Sequence, residues 1–365
     1  MLDKKRKKGG NKQMEEKTRN HNMDILRVFA MLCIICHHCI VNDFNLQGQL
    51  RYDSDVLIFE QRVLLIFANA FVIIGVNVFF LLSGYFQIHF TGKKLFRIIV
   101  KVYLVFGIVT GIGILTGNVQ INGETIKALL DPLDYYWYII TYLFLMVVSP
   151  LLNSIVQTMT KSQFKFYILG VFLVCCGYGF LHDTNLHINN GYSLLMAMVL
   201  YLLGAGVYKF EIKTTKGIAT FLILAIINGI FIFMVYCLLN GKRAWILYAY
   251  NNPLIVLESV SLLIGFSSLQ IKNKLGSYVS KLAQGTLMVY LLHSTCWLKV
   301  FRAYPVRWMI SKGFVWSGIF LLPVYAIIIY LVCYLIDLLY EVSLGKISNG
   351  CIDKISNCFK LGNKG

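Results

Sequence analysis

An aspartate, an arginine and two adjacent histidines interrupt the apolar run Asn22–Val41, NMDILRVFAMLCIICHHCIV. Charged and strongly polar side chains are costly at lipid-facing positions, so Asp24, Arg27, His37 and His38 need a reason to be there. Arg27 and His38 are eleven residues apart, which at about 100° per residue puts them nearly on one helix face, separated by roughly 16 Å along the axis. A guanidinium holds anionic groups, and an imidazole with an ordinary pKa of about 6.5 is suited to take a proton at neutral pH. The pair therefore reads as two ends of one elongated site, with His38 as the base. His37 is turned about 100° away and suits a hydrogen bond to a neighbouring helix. Asp24 is placed to orient Arg27 across i, i+3, or to serve as a dipole partner in the first turn.

A second polar stretch follows the apolar segment Gly75–Phe90, GVNVFFLLSGYFQIHF, as Lys93, Lys94, Arg97 and Lys101. Lys93, Arg97 and Lys101 share a helix face, which suits either lipid phosphate or the phosphates of a nucleotide-bearing cofactor. Small Ser83 and Gly84 allow a helix or a ligand to approach closely, and the Ser83 hydroxyl can also bond back to its own helix. Cys33-Ile34-Ile35-Cys36-His37 has the spacing of a haem-attachment motif. Its thiols lie among Ile, Leu and Met and read as small apolar filler, so no metal is expected. Tyr135, Tyr136, Trp137 and Tyr138 suit an interfacial aromatic belt or a surface for stacking a sugar or adenine. Asp43, Asp53, Asp55, His182, Asp183 and His187 fall in short outer loops and form no constellation.

These residues must be positioned by membrane helices. Of 365 residues 58% are hydrophobic and only 14% charged, which excludes an ordinary soluble domain. The fold expected is an all-α polytopic helix bundle with about ten spans. They lie near 23–42, 63–86, 96–117, 135–157, 164–181, 191–208, 217–239, 252–270, 283–300 and 313–338. The first run contains His-His and lacks a small-residue cleavage site, so it reads as a retained helix and not a signal peptide. The ten Cys lie mostly inside apolar runs and need no disulfides. A net charge of +17 would suit nucleic acid, but the cations lie between apolar segments with no soluble module to display them. They report topology and anionic headgroups instead. With the N-terminus inside, 24 Lys and Arg fall on inner segments, five of them in Lys4–Lys8, against nine on outer loops, four of those within 299–312. Both termini are therefore expected in the cytoplasm, with a basic tail over 1–22, a membrane domain over 23–340 and a C-terminal tail over 341–365.

Asp24-x-x-Arg27 followed by His38, then Gly75-Val76-Asn77-Val78-Phe79-Phe80-Leu81-Leu82-Ser83-Gly84-Tyr85 and a basic stretch, resemble the acyltransferase-3 family of integral membrane O-acyltransferases. Tyr136-Trp137-Tyr138 is similar to that family's aromatic motif, and Tyr290-Leu291-Leu292-His293 to its late Tyr-x-x-His element. The likeness covers roughly residues 22 to 340; in the family the second motif usually has Asp where this chain has Asn77.

The resemblance implies transfer of an acyl group, commonly acetyl, from cytoplasmic acyl-CoA to a hydroxyl of a cell-envelope or exported polysaccharide, or of its lipid-linked precursor. It places the protein in the cell membrane with acyl-CoA, a glycan acceptor and lipids as partners. In that frame Arg27, Lys93, Lys94 and Arg97 grip the CoA phosphates. Ser83 and Gly84 flank the donor, and the pantetheine arm runs up the first helix to His38. His38 takes the acceptor proton, or forms an acyl-imidazole intermediate. Trp137, Glu258 and His293 are candidates for acceptor binding, the last two because an ionisable group within a span is functional by default. The rival class is a transporter or flippase of lipid-linked saccharides, for which repeated halves or matching Gly/Pro-broken helices are expected. With five Pro and no self-similarity, the sequence leans away from it.

Overall fold

In a computed structural model the chain is all helical, and the structure describes residues 20–52, 56–182, 186–239, 241–269, 273–295 and 297–358. The Lys4–Lys8 run, Asp53, Asp55 and Asp183 lie outside the described residues. Among those described, no strand is present.

Numbering only the helices that carry the argument, α1 is His21–His38, continued by a π turn over Cys39–Asp43. Then come α2 (Phe59–Val72), α3 (Gly75–Tyr85), α4 (Gly92–Leu115), α5 (Trp137–Thr158) and α6 (Lys161–Phe172). They are followed by α7 (Leu194–Lys209), α8 (Gly217–Leu238) and α9 (Pro253–Ser267). The last are α10 (Asn273–Gln284), α11 (Thr286–His293), α12 (Leu298–Ser311), α13 (Val315–Val342) and α14 (Leu344–Cys358).

Among the described residues, seven helical stretches are long and apolar enough to cross a membrane: 21–43, 59–85, 92–115, 137–158, 161–181, 217–238 and 315–342. Two further apolar stretches form the shorter helices α7 and α9, of 16 and 15 residues. The stretch expected as one span over 283–300 is broken instead. It supplies the eight-residue α11, which stops at His293, and the start of α12. A helix can stop inside a bundle only if its last carbonyls find donors elsewhere. Here the Tyr136 hydroxyl donates to the Leu291 carbonyl at 3.1 Å and also meets Thr295, while Arg302 Nη1 reaches the His293 carbonyl at 3.4 Å. Tyr136 comes from a distant part of the chain and Arg302 from the helix that follows, so hydropathy alone could not reveal the break.

The C-terminal tail expected over 341–365 contains the amphipathic helix α14, which packs along α4. At the core, α1 is buried among α2, α3, α9, α10, α11 and α13. Its capping is orderly: Asn20 accepts from Met23 N, and Asp24 lies in the first turn where a carboxylate favours the helix dipole.

Candidate active site

Arg27 is held before any ligand arrives. Its Nη1 donates to Asp24 Oδ1 at 3.0 Å, and Asp24 Oδ2 accepts from Ser280 Oγ on α10 at 2.6 Å. Ser280 Oγ is in turn 2.9 Å from His21 Nδ1. The i, i+3 pair foreseen from sequence thus exists, and it is braced by a second helix. Arg27 also lies over the Phe86 ring, 5.5 Å from its centroid.

Arg27 opens onto a cavity of about 360 Å³, whose α1 wall is Arg27, Met31 and Ile34. These are successive members of one stripe, and His38 is the next member of that stripe, one turn beyond. Ser83 on α3, Tyr138 and Tyr142 on α5 and Tyr290 on α11 bring hydroxyls into a largely apolar lining that also holds Gln284 and Thr286. A second, shallower groove lined by His89, Lys94 and Arg97 shares Phe86, Ile88, Ile98 and Tyr142 with this cavity. Cationic side chains therefore stand at the mouth and a single guanidinium stands farther in.

At the inner end the cavity wall reaches Ile34 and Tyr290, one turn short of His38. Tyr290 packs against Tyr138, 5.4 Å between centroids, and against His293 at 6.1 Å. Behind it, His38 Nδ1 is 2.9 Å from His293 Nε2, and the rings stack at 5.0 Å with 18° between their planes. His293 Nδ1 is 2.8 Å from the Val289 carbonyl. That contact fixes the protons in the neutral pair. A carbonyl only accepts, so His293 carries its hydrogen on Nδ1 and offers a lone pair at Nε2. His38 must then donate from Nδ1, which leaves His38 Nε2 bare and able to accept a proton. His38 is half-buried and His293 is buried.

His37 faces the other way, as its phase predicts, with Nδ1 2.7 Å from Asn69 Oδ1 on α2. It serves the packing of α1 against α2. Beyond His38, Asp43 and Arg302 form a buried bidentate pair: Nε donates to Oδ2 at 2.9 Å and Nη2 to Oδ1 at 2.8 Å.

A family model described as an acyltransferase domain matches residues 20–338, nearly the whole chain. The chain belongs to the acyltransferase-3 family. Neither the curated proteins nor the solved structures contain a match to it. With its apolar helices, this acyltransferase is a multi-pass membrane protein that uses an acyl donor.

The other residues singled out in the sequence are distributed unequally about this candidate site. Lys94 and Arg97 line the outer groove, with Lys94 Nζ also donating to the His89 carbonyl at 3.2 Å. Lys93 turns to α14, where Asp353 accepts from it at 2.8 Å and from Arg97 at 3.0 Å. Lys101, on the same face, is taken by Asp337 and Glu341 of α13 at 2.7 and 2.8 Å. The basic face foreseen over Lys93, Arg97 and Lys101 is thus partly matched by carboxylates of the chain's own C-terminal helices. Ser83 lines the cavity but donates its hydroxyl to the Phe79 carbonyl at 2.8 Å.

Gly84 does not line the cavity; it sits where α3 crosses α7. A Cβ there would strike the Tyr201 carbonyl, and one on Gly204 would strike the Leu81 carbonyl. Trp137 lies with Tyr192 and Tyr250, at 4.5 and 6.0 Å between centroids, while its neighbour Tyr138 faces the cavity. Glu258 on α9 is buried opposite Asn228 of α8, outside the cavity lining, with no hydrogen bond of ordinary geometry between them. Cys33, Cys36 and Cys39 are buried.

Two residues went unnoticed in the sequence. Hydropathy places Asp43 in an outer loop and Arg302 among the four cations of 299–312. Arg302 is 7% exposed and Asp43 4%, so both belong to the interior. The single available signal was the excess of cations in an outer loop, against the trend elsewhere.

Proposed function

We propose that this acyltransferase moves an acetyl group from cytoplasmic acetyl-CoA to a hydroxyl of a cell-envelope or exported polysaccharide. His38 is the general base, and the cell membrane is the setting. The observation that carries this reading is the bare Nε2 of His38, one turn beyond a cavity whose other end is a braced guanidinium.

Fit to the donor rests on the residues present. Lys94 and Arg97 at the mouth and Arg27 inside match a ligand that carries phosphates at one end and along its length. The Ser83, Tyr138 and Tyr142 hydroxyls in an apolar wall match a slender arm bearing amides. Arg27 is already committed to Asp24, so its spare donors are pre-aimed and little side-chain freedom is lost on binding.

In the transfer, the acceptor oxygen forms a bond to the thioester carbonyl carbon as its proton passes to His38 Nε2. This avoids release of a free alkoxide. The resulting imidazolium keeps its Nδ1–H bond to His293 and returns the Nε2 proton to the departing thiolate as the carbon–sulfur bond breaks. The products are the acyl ester and free thiol. Trp137 and its tyrosine neighbours supply apolar faces for the acceptor sugar.

Purified protein in liposomes, given radiolabelled acetyl-CoA and cell-envelope polysaccharide, tests this. Label is expected in the polysaccharide with wild-type protein and not with His38→Ala. Wild-type transfer by folded His38→Ala removes His38 as the base, and absence of transfer from any acyl-CoA by wild-type protein removes the donor assignment.

A further inference from the structure

The mechanism leaves the most buried ion pair among the described residues without a task. Asp43 and Arg302 lie 259 residues apart in sequence and meet through two short, parallel hydrogen bonds. Burying two charges is costly, so such a pair is weak grounds for stability by itself and invites the question of what it specifies. Its connections answer that question. Asp43 ends the π turn that directly follows His38. Arg302 reaches from α12 to the backbone carbonyl of His293, the last residue of α11. The Tyr325 hydroxyl on α13 donates to the Arg302 carbonyl at 2.7 Å and steadies α12 from behind.

The π turn matters to this arrangement. Five residues along an α-helix is about 140° away around the axis, so on a regular continuation of α1 Asp43 would point well away from His38. The wider winding, closed by Phe44 N on the Cys39 carbonyl at 2.9 Å, brings Asp43 back toward the side that His38 occupies. One ion pair then fixes both halves of the imidazole pair: Asp43 through the backbone that carries His38, Arg302 through the carbonyl of His293.

We propose that Asp43 and Arg302 are positioning residues for the acyl transfer, a clamp that sets the His38–His293 contact and so the direction of His38 Nε2. The inference rests on the general-base reading given above. Neither residue touches substrate in this scheme. A displacement of about 1 Å at a catalytic base can cost about 100-fold in rate, so a clamp of this kind acts on kcat and leaves donor binding alone.

The test uses the full chain in membrane vesicles, with radiolabelled acetyl-CoA as donor and vesicle-borne glycan as acceptor, rates being normalised to folded protein. Asp43→Asn is expected to lower kcat about 100-fold with the KM for acetyl-CoA unchanged. Because that variant leaves a buried guanidinium without its partner, the neutral pair Asp43→Asn with Arg302→Gln is made beside it. It is expected to fold and to show the same loss in kcat. Wild-type kcat in either folded variant overturns the proposal, as does an equal change in KM and kcat. Failure of both variants to accumulate as folded protein makes the pair a folding element and overturns it too. If His38→Ala is inactive while Asp43→Asn keeps full kcat, the clamp alone falls; if His38→Ala is fully active, the general-base reading falls first.

Discussion

The two ends of the candidate site hold their charges in opposite ways. At the mouth, Lys93 and Arg97 share Asp353 with side chains left a third or more exposed, and Arg97 also faces the groove. Exposed pairs of this sort contribute little and exchange partners readily. Around the imidazoles the contacts lie inside the bundle, buried or half-buried, and join separate elements: Asp43 with Arg302, His38 with His293, Tyr136 with Leu291. A site that must admit and release a polyanion needs the first arrangement. One that must hold a lone pair in a fixed direction needs the second.

The sharpest way to break that contrast is at the deep end. His38→Ala should reduce transfer by about 100- to 10,000-fold, the usual contribution of a positioned base, as measured by label incorporated into polysaccharide. A loss below tenfold would make the deep end no more critical than the mouth. His293 sharpens the comparison, because its proposed task is to accept the His38 Nδ1–H. His293→Leu should cost about 100-fold in kcat, and His293→Gln, which can still present an amide oxygen, should retain more. Equal rates for the two variants would dissociate the tautomer from the activity.

Arg27 stands between the regimes, half-exposed to the cavity yet braced by Asp24 and Ser280. Arg27→Ala should raise the KM for acetyl-CoA about tenfold, in line with loss of one charge-assisted contact, with kcat changed far less. A kcat effect larger than the KM effect would move Arg27 into the deep group. At the mouth, Asp353→Asn should lower the KM for acetyl-CoA by a few-fold at most, and the gain should vanish in high salt. An unchanged KM in low salt would separate Asp353 from donor entry.

The smallest expected effect is in pH. The hydrogen bond from Lys93, assisted by Arg97, holds the Asp353 carboxyl below its ordinary value of 3.8. Since the folded value is the lower one, its contribution is complete above the unfolded carboxyl's pKa and disappears as pH falls through the folded value. Protease sensitivity of α14 should therefore be flat from neutrality down to about pH 5 and rise only below the ordinary carboxylate range. A rise near pH 6 would implicate a different group.

Much of this was legible in the sequence because membrane helices obey a simple code. Apolar run length located the seven long helices to within a few residues, and the helical period put Arg27 and His38 on one stripe. Gly84 shows where that code stops: a small residue announces close approach without saying whether a ligand or a helix arrives, and here it is α7. The break after His293 was hidden because the groups that satisfy its carbonyls are side chains that hydropathy does not weigh, Tyr136 from a distant helix and Arg302 from the next one. Asp43 and Arg302 were hidden for the same reason, since no spacing rule links residues so far apart.

The crossing of α3 and α7 at Gly84 and Gly204 bears on how the site opens. Backbone there meets backbone with no room for even a methyl group. Ser83, the adjoining residue, belongs to the cavity wall. That wall is in effect riveted to its neighbour, so it cannot swing aside to admit a bulky donor. Opening is left to the other walls and to rings such as Phe86 and Tyr142, and the pocket should accept narrow chains more readily than wide ones.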